Sequence, residues 1–210
     1  MSKKARDAFH GDCIKLRDQI AKAKREDRKV LYLDEICFTK RSVLMKDWSR
    51  ANSNLSVDQK DVFTGYVTAI ISMTEENGIG QYRIHQKAIT SEQFIDYLKD
   101  LRSSFRKRGL AIVMDWLTVH YAAEVDPLYS ELNIVPIWNV RYSPEFNPIE
   151  AVFSKVKAVY NARRLNAIVN KSNFDREETI KIALRSVTRD HCSACVRKSR
   201  HLLDKAIATS

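Results

Sequence analysis

The 210-residue chain contains little glycine, proline or cysteine: five, four and four residues. So few glycines and prolines argue against a disordered or collagen-like chain, and a hydrophobic content of 44% is enough for a sizeable core. Four scattered cysteines exclude a disulfide framework in a chain of this length and are typical of a reducing cell interior. We therefore expect one folded domain, with or without appendages.

Long apolar runs are also missing from the sequence. No stretch approaches the roughly 20 residues that cross a bilayer, and the basic N-terminus lacks the apolar segment of a signal peptide. We expect a protein that is neither secreted nor bound to a membrane. It would be nuclear in a eukaryotic host and cytoplasmic otherwise.

The net charge of +10 is unevenly distributed. Residues 1–30 carry a balance of +5 and residues 151–210 one of +8, whereas residues 31–150 carry −3. Because lysine and arginine neutralise phosphates, basic flanks around a slightly acidic centre suit a protein that binds a polyanion. Well-solvated basic helices would give the same pattern, and charge alone leaves both interpretations open.

The order of predicted elements indicates an α/β fold with a mixed central sheet, helices on both of its faces and additional C-terminal helices. A basic helical lead-in (1–29) precedes a core (30–170), and basic helices (171–210) end the chain. The predicted strands are 30–38, a short one near 43–48 within the loop 39–60, a hairpin of 62–73 and 79–86, 110–115 and 134–137. The predicted helices are 91–108 with Thr90 or Ser91 as its cap, 118–131, Asn147 to about Leu165, 175–189 and 194–208.

Three acidic residues stand at the ends or beginnings of these elements. Asp34 and Asp115 each end an apolar run, and Glu150 lies at the start of a helix. A carboxylate at the tip of a buried strand is costly unless a metal, a hydrogen-bond network or solvent receives it. Singly, each has an ordinary explanation, since an Asp can bond a turn amide and Glu150 can complete a capping box behind Asn147 and Pro148.

Three blocks of sequence together resemble the catalytic motifs of mariner-superfamily DDE transposases. The blocks are Leu33-Asp34-Glu35, Val113-Met114-Asp115 with His120, and Tyr142-Ser143-Pro144-Glu145-Phe146-Asn147-Pro148-Ile149-Glu150. The 34 residues between Asp115 and Glu150 match the separation in that superfamily. The resemblance covers about residues 30–165 and implies a ribonuclease H-like fold.

The same resemblance implies a chemistry. Asp34, Asp115 and Glu150 would be the catalytic residues and would bind two Mg²⁺ or Mn²⁺ ions, with His120 and Asn147 in supporting roles. Hard cations prefer such oxygen ligands, and two of them suit phosphoryl transfer. The implied reaction is cleavage of DNA at transposon ends and transfer of the 3′-hydroxyl into target DNA, by a homodimer on double-stranded DNA. Two alternatives stay open: another ribonuclease H-like nuclease, or a domesticated derivative kept as a DNA-binding or interaction module.

Basic and aromatic residues near the blocks are candidates for DNA contacts. The candidates for phosphate contacts are Lys40, Arg41, Arg141, Lys155, Lys157, Arg163 and Arg164. Those on the helix after Glu150 would equally suit a solvated helix face. Trp48 and Trp116 can stack on an unpaired base or pack in the core.

Two features depart from the family pattern, and one cysteine motif stands apart from it. Trp116 follows the second Asp, where the family usually has Asn. Only about thirty residues precede the first strand, too few for the family's paired helix-turn-helix modules, so we expect an isolated catalytic domain. Cys192 and Cys195, with nearby His191 and His201, could ligate zinc, but a helical pattern favours two buried thiols.

Overall fold

The computed structural model of the chain describes residues 3–39 and 66–209. Its strands are β1 (Lys29–Phe38), β2 (Val67–Thr74), β3 (Gly78–His85), β4 (Leu110–Met114) and β5 (Ile134–Trp138). They lie side by side in the order β3-β2-β1-β4-β5. β1 pairs antiparallel with β2 and parallel with β4; β2–β3 is antiparallel and β4–β5 parallel. The mixed central sheet predicted from the sequence is confirmed.

The hairpin of β2 and β3 turns at Gly78. This residue has φ +77°, which a residue without a Cβ adopts without strain. A Cβ there would also lie 3.2 Å from the Cα of Arg189. The backbone of the last helix therefore approaches the hairpin closely. The predicted strand near 43–48, residues 62–65 of the predicted hairpin, and Lys40, Arg41 and Trp48 lie outside the described residues.

Helices cover both faces of the sheet. They are α1 (Lys3–Arg25), α2 (Ser91–Ser104), α3 (Asp126–Glu131), α4 (Ile149–Val169), α5 (Arg176–Arg185) and α6 (Arg189–Ala208). One apolar cluster joins the sheet to α2 and α3, and a second joins the opposite face to α1, α4, α5 and α6. The terminal helices thus pack into the same core as the catalytic blocks. Within residues 3–39 and 66–209, no helix has the length and apolar character needed to span a bilayer.

Alternation along β1 sends its two adjacent acids to opposite sides of the sheet. Leu31 and Leu33 pack in the cluster with α2, whereas Val30, Tyr32 and Ile36 pack in the cluster with α4. Because successive side chains of a strand point to opposite faces, Asp34 faces α4 and Glu35 faces α2.

Several predicted helices differ from those observed: α5 ends at Arg185 rather than at 189, and α6 begins at Arg189 rather than at 194. The helix predicted over 118–131 is wrong: a 3-10 turn spans Thr118–Tyr121, and α3 begins only at Asp126. Pro127 lacks an N–H, so it is tolerated only in the first turn of a helix. α2 is capped by Thr90 as predicted, in a capping box with Gln93, but it ends at Ser104. Arg102 donates to carbonyls beyond that end, including Phe105 and Arg108.

Candidate active site

A cavity of about 350 Å³ lies at the carboxyl end of β4, and Asp34, Asp115 and Glu150 all line it. In the parallel pairing of β1 and β4, the last paired residues are Tyr32 and Val113. Asp34 lies two residues after Tyr32, and Asp115 lies two residues after Val113. The two carboxylates therefore lie side by side. Glu150 comes from the first turn of α4.

Asp34 is the most buried of the three acids, with 7% of its surface exposed. The Glu35 amide donates to its Oδ1 at 2.8 Å. Burial raises the pKa of Asp34 well above its usual range, and the charges of Asp115, Glu35 and Glu150 raise it further, opposed by the Glu35 amide. An ionised Asp34 is therefore destabilising until a cation compensates it.

Glu150 is electrostatically coupled to the same cluster. Burial raises its pKa; Lys157 opposes the shift and Asp115 adds to it. Lys157 lies seven residues further along α4, on the same helical face. Each of the three acids thus influences another across the cavity, although they come from three different elements.

Asn147 ties the start of α4 to β1. Its Nδ2 donates to Leu33 O at 3.3 Å and to Asp34 Oδ2 at 3.4 Å, and it is only 2% exposed. α4 begins at Ile149 with Pro148 in the cap position and no side-chain capping bond, so the predicted capping box of Asn147 and Glu150 is wrong. The Asn147 Nδ2 bonds to acceptors of β1 while its Oδ1 accepts from Ile149 N at 3.5 Å, and these contacts fix Glu150 relative to Asp34.

His120 links Glu35 to Asp115. Its Nε2 lies 3.0 Å from Glu35 Oε1, and its Nδ1 lies 3.3 Å from Asp115 Oδ1 and 3.1 Å from Asp115 O. The ring is fully buried against Phe94, 4.7 Å between centroids. Burial lowers the pKa of His120, but hydrogen bonds to Asp115 and Glu35 outweigh it and raise the pKa to about 10.

Two groupings of ligand atoms compete for a cation at this site. Ligand atoms of Glu35, Asp115 and His120 lie within 4.8 Å of one another, but a protonated imidazole has no lone pair to offer a metal. Asp34, Asp115 and Glu150 instead present only carboxylate oxygens, the donors that Mg²⁺ and Mn²⁺ prefer. Asp115 Oδ1 is buried, with His120 Nδ1 3.3 Å away. The three predicted carboxylates therefore fit a hard divalent cation.

Trp116 lies in an aromatic cluster at the edge of the cavity. Its ring stacks on Trp138 at 5.0 Å between centroids, Tyr121 contacts both rings edge-on, and Arg141 Cζ lies 4.4 Å from the Trp116 centroid. Trp116 is nevertheless 40% exposed. Neither Trp138 nor Tyr121 was predicted to belong to the site, because their approach depends on the tertiary structure.

The candidate DNA contacts fall in different environments. Arg141 lines the cavity, and Lys157 acts on Glu150. Lys155 is half-buried beside α6, where its charge reaches Cys192 and Cys195. Arg163 is exposed on α4.

Arg164 requires a correction. It is 7% exposed, and its Nη1 donates to Thr39 O at 3.5 Å. The side chain packs between α4 and the end of β1, so the interpretation of Arg164 as an exposed phosphate contact is wrong. Helical spacing alone could not separate it from exposed Arg163, because the neighbours of α4 are set by the tertiary fold.

The two C-terminal cysteines are buried on α6. Burial raises the pKa of Cys192 to about 11 and also raises that of Cys195, whose Sγ lies 3.6 Å from His191 Nε2. His201 is exposed. The two cysteines therefore behave as small apolar residues in the contact between α6 and the core.

The chain resembles known proteins at the level of family and of fold. A family model described as DDE superfamily endonuclease matches residues 29–171. That match spans most of the chain, so the chain belongs to the DDE superfamily endonucleases. A sequence search of curated proteins found no match.

The fold is that of a mariner-type transposase catalytic domain. It is similar to "Mos1 transposase paired-end complex with left transposon end" with a TM-score of 0.70 at 13% identity, covering 100% of this chain and 63% of that one. It is similar to "Crystal structure of the catalytic domain of Mos1 mariner transposase" with a TM-score of 0.63 at 12% identity, covering 100% and 95%. The chain thus spans 63% of the Mos1 chain in the paired-end complex and nearly all of the isolated catalytic domain. Membership of the DDE superfamily and the ribonuclease H-like fold predicted from the sequence are confirmed.

Proposed function

We propose that this chain is the catalytic domain of a cut-and-paste DNA transposase. One observation carries the proposal: in a chain of the DDE endonuclease family, Asp34, Asp115 and Glu150 converge on one cavity from β1, the end of β4 and the start of α4. The raised pKa of buried Asp34 supports it, since a cation offsets the charge repulsion there.

The three carboxylates would hold Mg²⁺ or Mn²⁺, the ions of the Mos1 paired-end complexes with Mg and with Mn. Two such ions held by these residues would supply activation of the attacking water or 3′-hydroxyl and stabilisation of the leaving oxygen. Asp34 supplies the most rigid ligand, because the Glu35 amide and Asn147 fix both of its oxygens. His120 holds Asp115 from behind, on the side away from the cavity.

The partner would be double-stranded DNA, first at the transposon ends and then at the target. The similar Mos1 structures include a paired-end complex with left transposon end and a strand transfer complex. In this chain, Arg141 at the cavity and Lys157 near Glu150 are placed to meet phosphates, and the basic flanks supply longer-range attraction. We further propose that the chain works as a homodimer on DNA, and in the nucleus of a eukaryotic host or the cytoplasm of a bacterial one.

Substitution of each acid by its amide tests the proposal. Asp34→Asn, Asp115→Asn and Glu150→Gln should each abolish Mn²⁺-dependent cleavage of a duplex and joining of a pre-cleaved 3′ end. Glu131→Gln, an exposed glutamate on α3, is the matched control and should retain both. Circular dichroism verifies that the variants fold.

The two alternative functions, a nuclease and a binding module, predict different results in cleavage assays and in calorimetry. Cleavage without joining of the pre-cleaved end would favour a ribonuclease H-like nuclease. Calorimetry that detects no carboxylate-dependent Mn²⁺ binding would favour a DNA-binding or interaction module. Full activity in Asp34→Asn would refute the metal site itself.

A further inference from the structure

A cluster of aromatic and guanidinium groups borders the acidic cavity. Trp116, Arg141 and Tyr142 line the same cavity as the three carboxylates. Trp116 is 40% exposed and lies beside further aromatic rings. The proposed metal chemistry does not use it.

The cluster, named here the Trp116 platform, consists of Trp116, Trp138, Tyr121 and Arg141. The two indoles are stacked with 26° between their planes, and Tyr121 stands nearly perpendicular to Trp138 at 84°. Such stacked and edge-on contacts are the favoured geometries of aromatic pairs. The Arg141 guanidinium, 4.4 Å from the Trp116 centroid, adds a planar cation.

Hydrogen bonds hold the platform to the strand that ends in Asp115. Trp116 Nε1 donates to Asn139 O at 2.9 Å, and Asn139 N donates to Met114 O at 2.8 Å. Asn139 Nδ2 in turn donates to Ser143 O at 2.9 Å and closes the loop that carries Arg141 and Tyr142. The platform is therefore preorganised and rigidly connected to a catalytic carboxylate.

We propose that the Trp116 platform stacks one unpaired nucleobase of the DNA strand whose phosphate enters the acidic cavity. The inference rests on the proposed function, because the phosphate position defines which strand is near. A base presents its planar face only when it has left the duplex stack, and aromatic rings or guanidinium planes then receive it regardless of sequence.

Charge and size favour a nucleotide over a protein partner. Arg141 is exposed and offers both a plane for the base and a positive charge for its phosphate. The platform comprises four side chains, whereas a specific protein interface buries about 20–30 residues on each side. Trp116 is also the direct neighbour of Asp115, so a bound base would be held beside the reacting phosphate.

Fluorescence of 2-aminopurine tests the stacking directly. The probe is a duplex with a two-nucleotide 3′ overhang that carries 2-aminopurine, titrated with the chain in EDTA to prevent cleavage. The wild-type chain should quench the probe at saturation, and Trp116→Leu should restore the fluorescence of the free overhang. Loss of stacking should also weaken binding about 10-fold, as base–aromatic contacts of 1–3 kcal/mol predict.

Three controls separate stacking from charge and from folding. Trp116→Phe should keep most of the quenching, and Arg141→Lys, which keeps the charge without the plane, should lose part of it. Arg163→Gln should shift the midpoint but leave the saturated quenching unchanged. If Trp116→Leu does not fold by circular dichroism, the Phe and Lys variants decide the outcome.

The outcomes for the platform and for the catalytic site are distinguishable. Equal saturated quenching by wild type and Trp116→Leu, or no quenching by wild type, would overturn the stacking proposal even if Mn²⁺-dependent cleavage occurs. Quenching that depends on Trp116 in a chain that does not cleave DNA would support stacking and refute the transposase chemistry alone.

Discussion

Glu35 and His120 form a buried pair, with 3.0 Å between Oε1 and Nε2, on the face of the sheet opposite Asp34. The other ring nitrogen of His120 contacts Asp115. The imidazolium therefore compensates two carboxylates and orients one of those that line the cavity. Removal of one partner from a buried ion pair leaves an uncompensated charge, so substitution of His120 should be destabilising.

We predict that His120→Asn destabilises the chain by about 3–5 kcal/mol, as expected when a buried pair is broken. The effect should depend on pH. The folded pKa of about 10 exceeds the ordinary histidine pKa of 6.5, so the stabilisation is complete below pH 6.5 and is lost as pH rises toward 10.

Urea unfolding of the metal-free chain between pH 6 and 10 measures this contribution. The stability difference between wild type and His120→Asn should shrink across that range. His201→Asn, at an exposed position on α6, is the control and should change neither stability nor its pH dependence. A difference that stays constant from pH 6 to 10 would show that His120 is not charged in the folded chain.

Asp34→Asn should separate metal binding from stability. Because burial raises the pKa of Asp34, its ionised form destabilises the folded chain, and this penalty grows as pH rises above the usual carboxyl range. The neutral amide removes the penalty, so the metal-free variant should melt at or above the wild-type temperature near pH 8.

Addition of Mn²⁺ should reverse that order. At 100 times the dissociation constant, binding stabilises the wild type by about 2.7 kcal/mol, and Asp34→Asn should show little of this shift. Differential scanning calorimetry with and without Mn²⁺ provides the measurement. A metal-free variant that melts well below wild type would mean that the Asp34 charge is already compensated by the protein.

Asn147→Ala should lower stability and activity together. Its amide bonds Leu33 O and Asp34 Oδ2 in a buried setting, so loss of the donor should cost about 1–3 kcal/mol. Glu150 would also lose its connection to β1, and the cleavage rate in Mn²⁺ should fall. Asn170→Ala is the matched control, because Asn170 is exposed and bonds only within its own helix end. Equal effects of the two substitutions on cleavage would refute the positioning role of Asn147.

The convergence of Asp34, Asp115 and Glu150 on one cavity could be predicted, because each acid carries a local signal. Asp34 and Asp115 end apolar runs, and β1 and β4 proved to be parallel neighbours. The Asn77-Gly78 turn likewise predicted the hairpin of β2 and β3. Each of these signals depends on chain neighbours within a few residues.

Other parts of the site could not be predicted, because they depend on contacts between distant segments. Glu35 meets His120 across 85 positions of sequence, and Trp116 meets Trp138 only after β4 and β5 pair. The local sequence predicted Asn147 as a helix cap, but its Nδ2 donates to Leu33 O and Asp34 Oδ2 of β1. The alternation of side chains along β1 was the one available signal that Asp34 and Glu35 point to different faces of the sheet.

That alternation restricts how β1 can change during evolution. Deletion or insertion of one residue between Lys29 and Asp34 would exchange the two acids, with the glutamate turned toward α4 and the aspartate toward the imidazole. The shorter side chain would then have to reach His120, and the longer one would crowd the cavity. We expect natural relatives and engineered variants to tolerate substitutions along this strand far more readily than any change in its length.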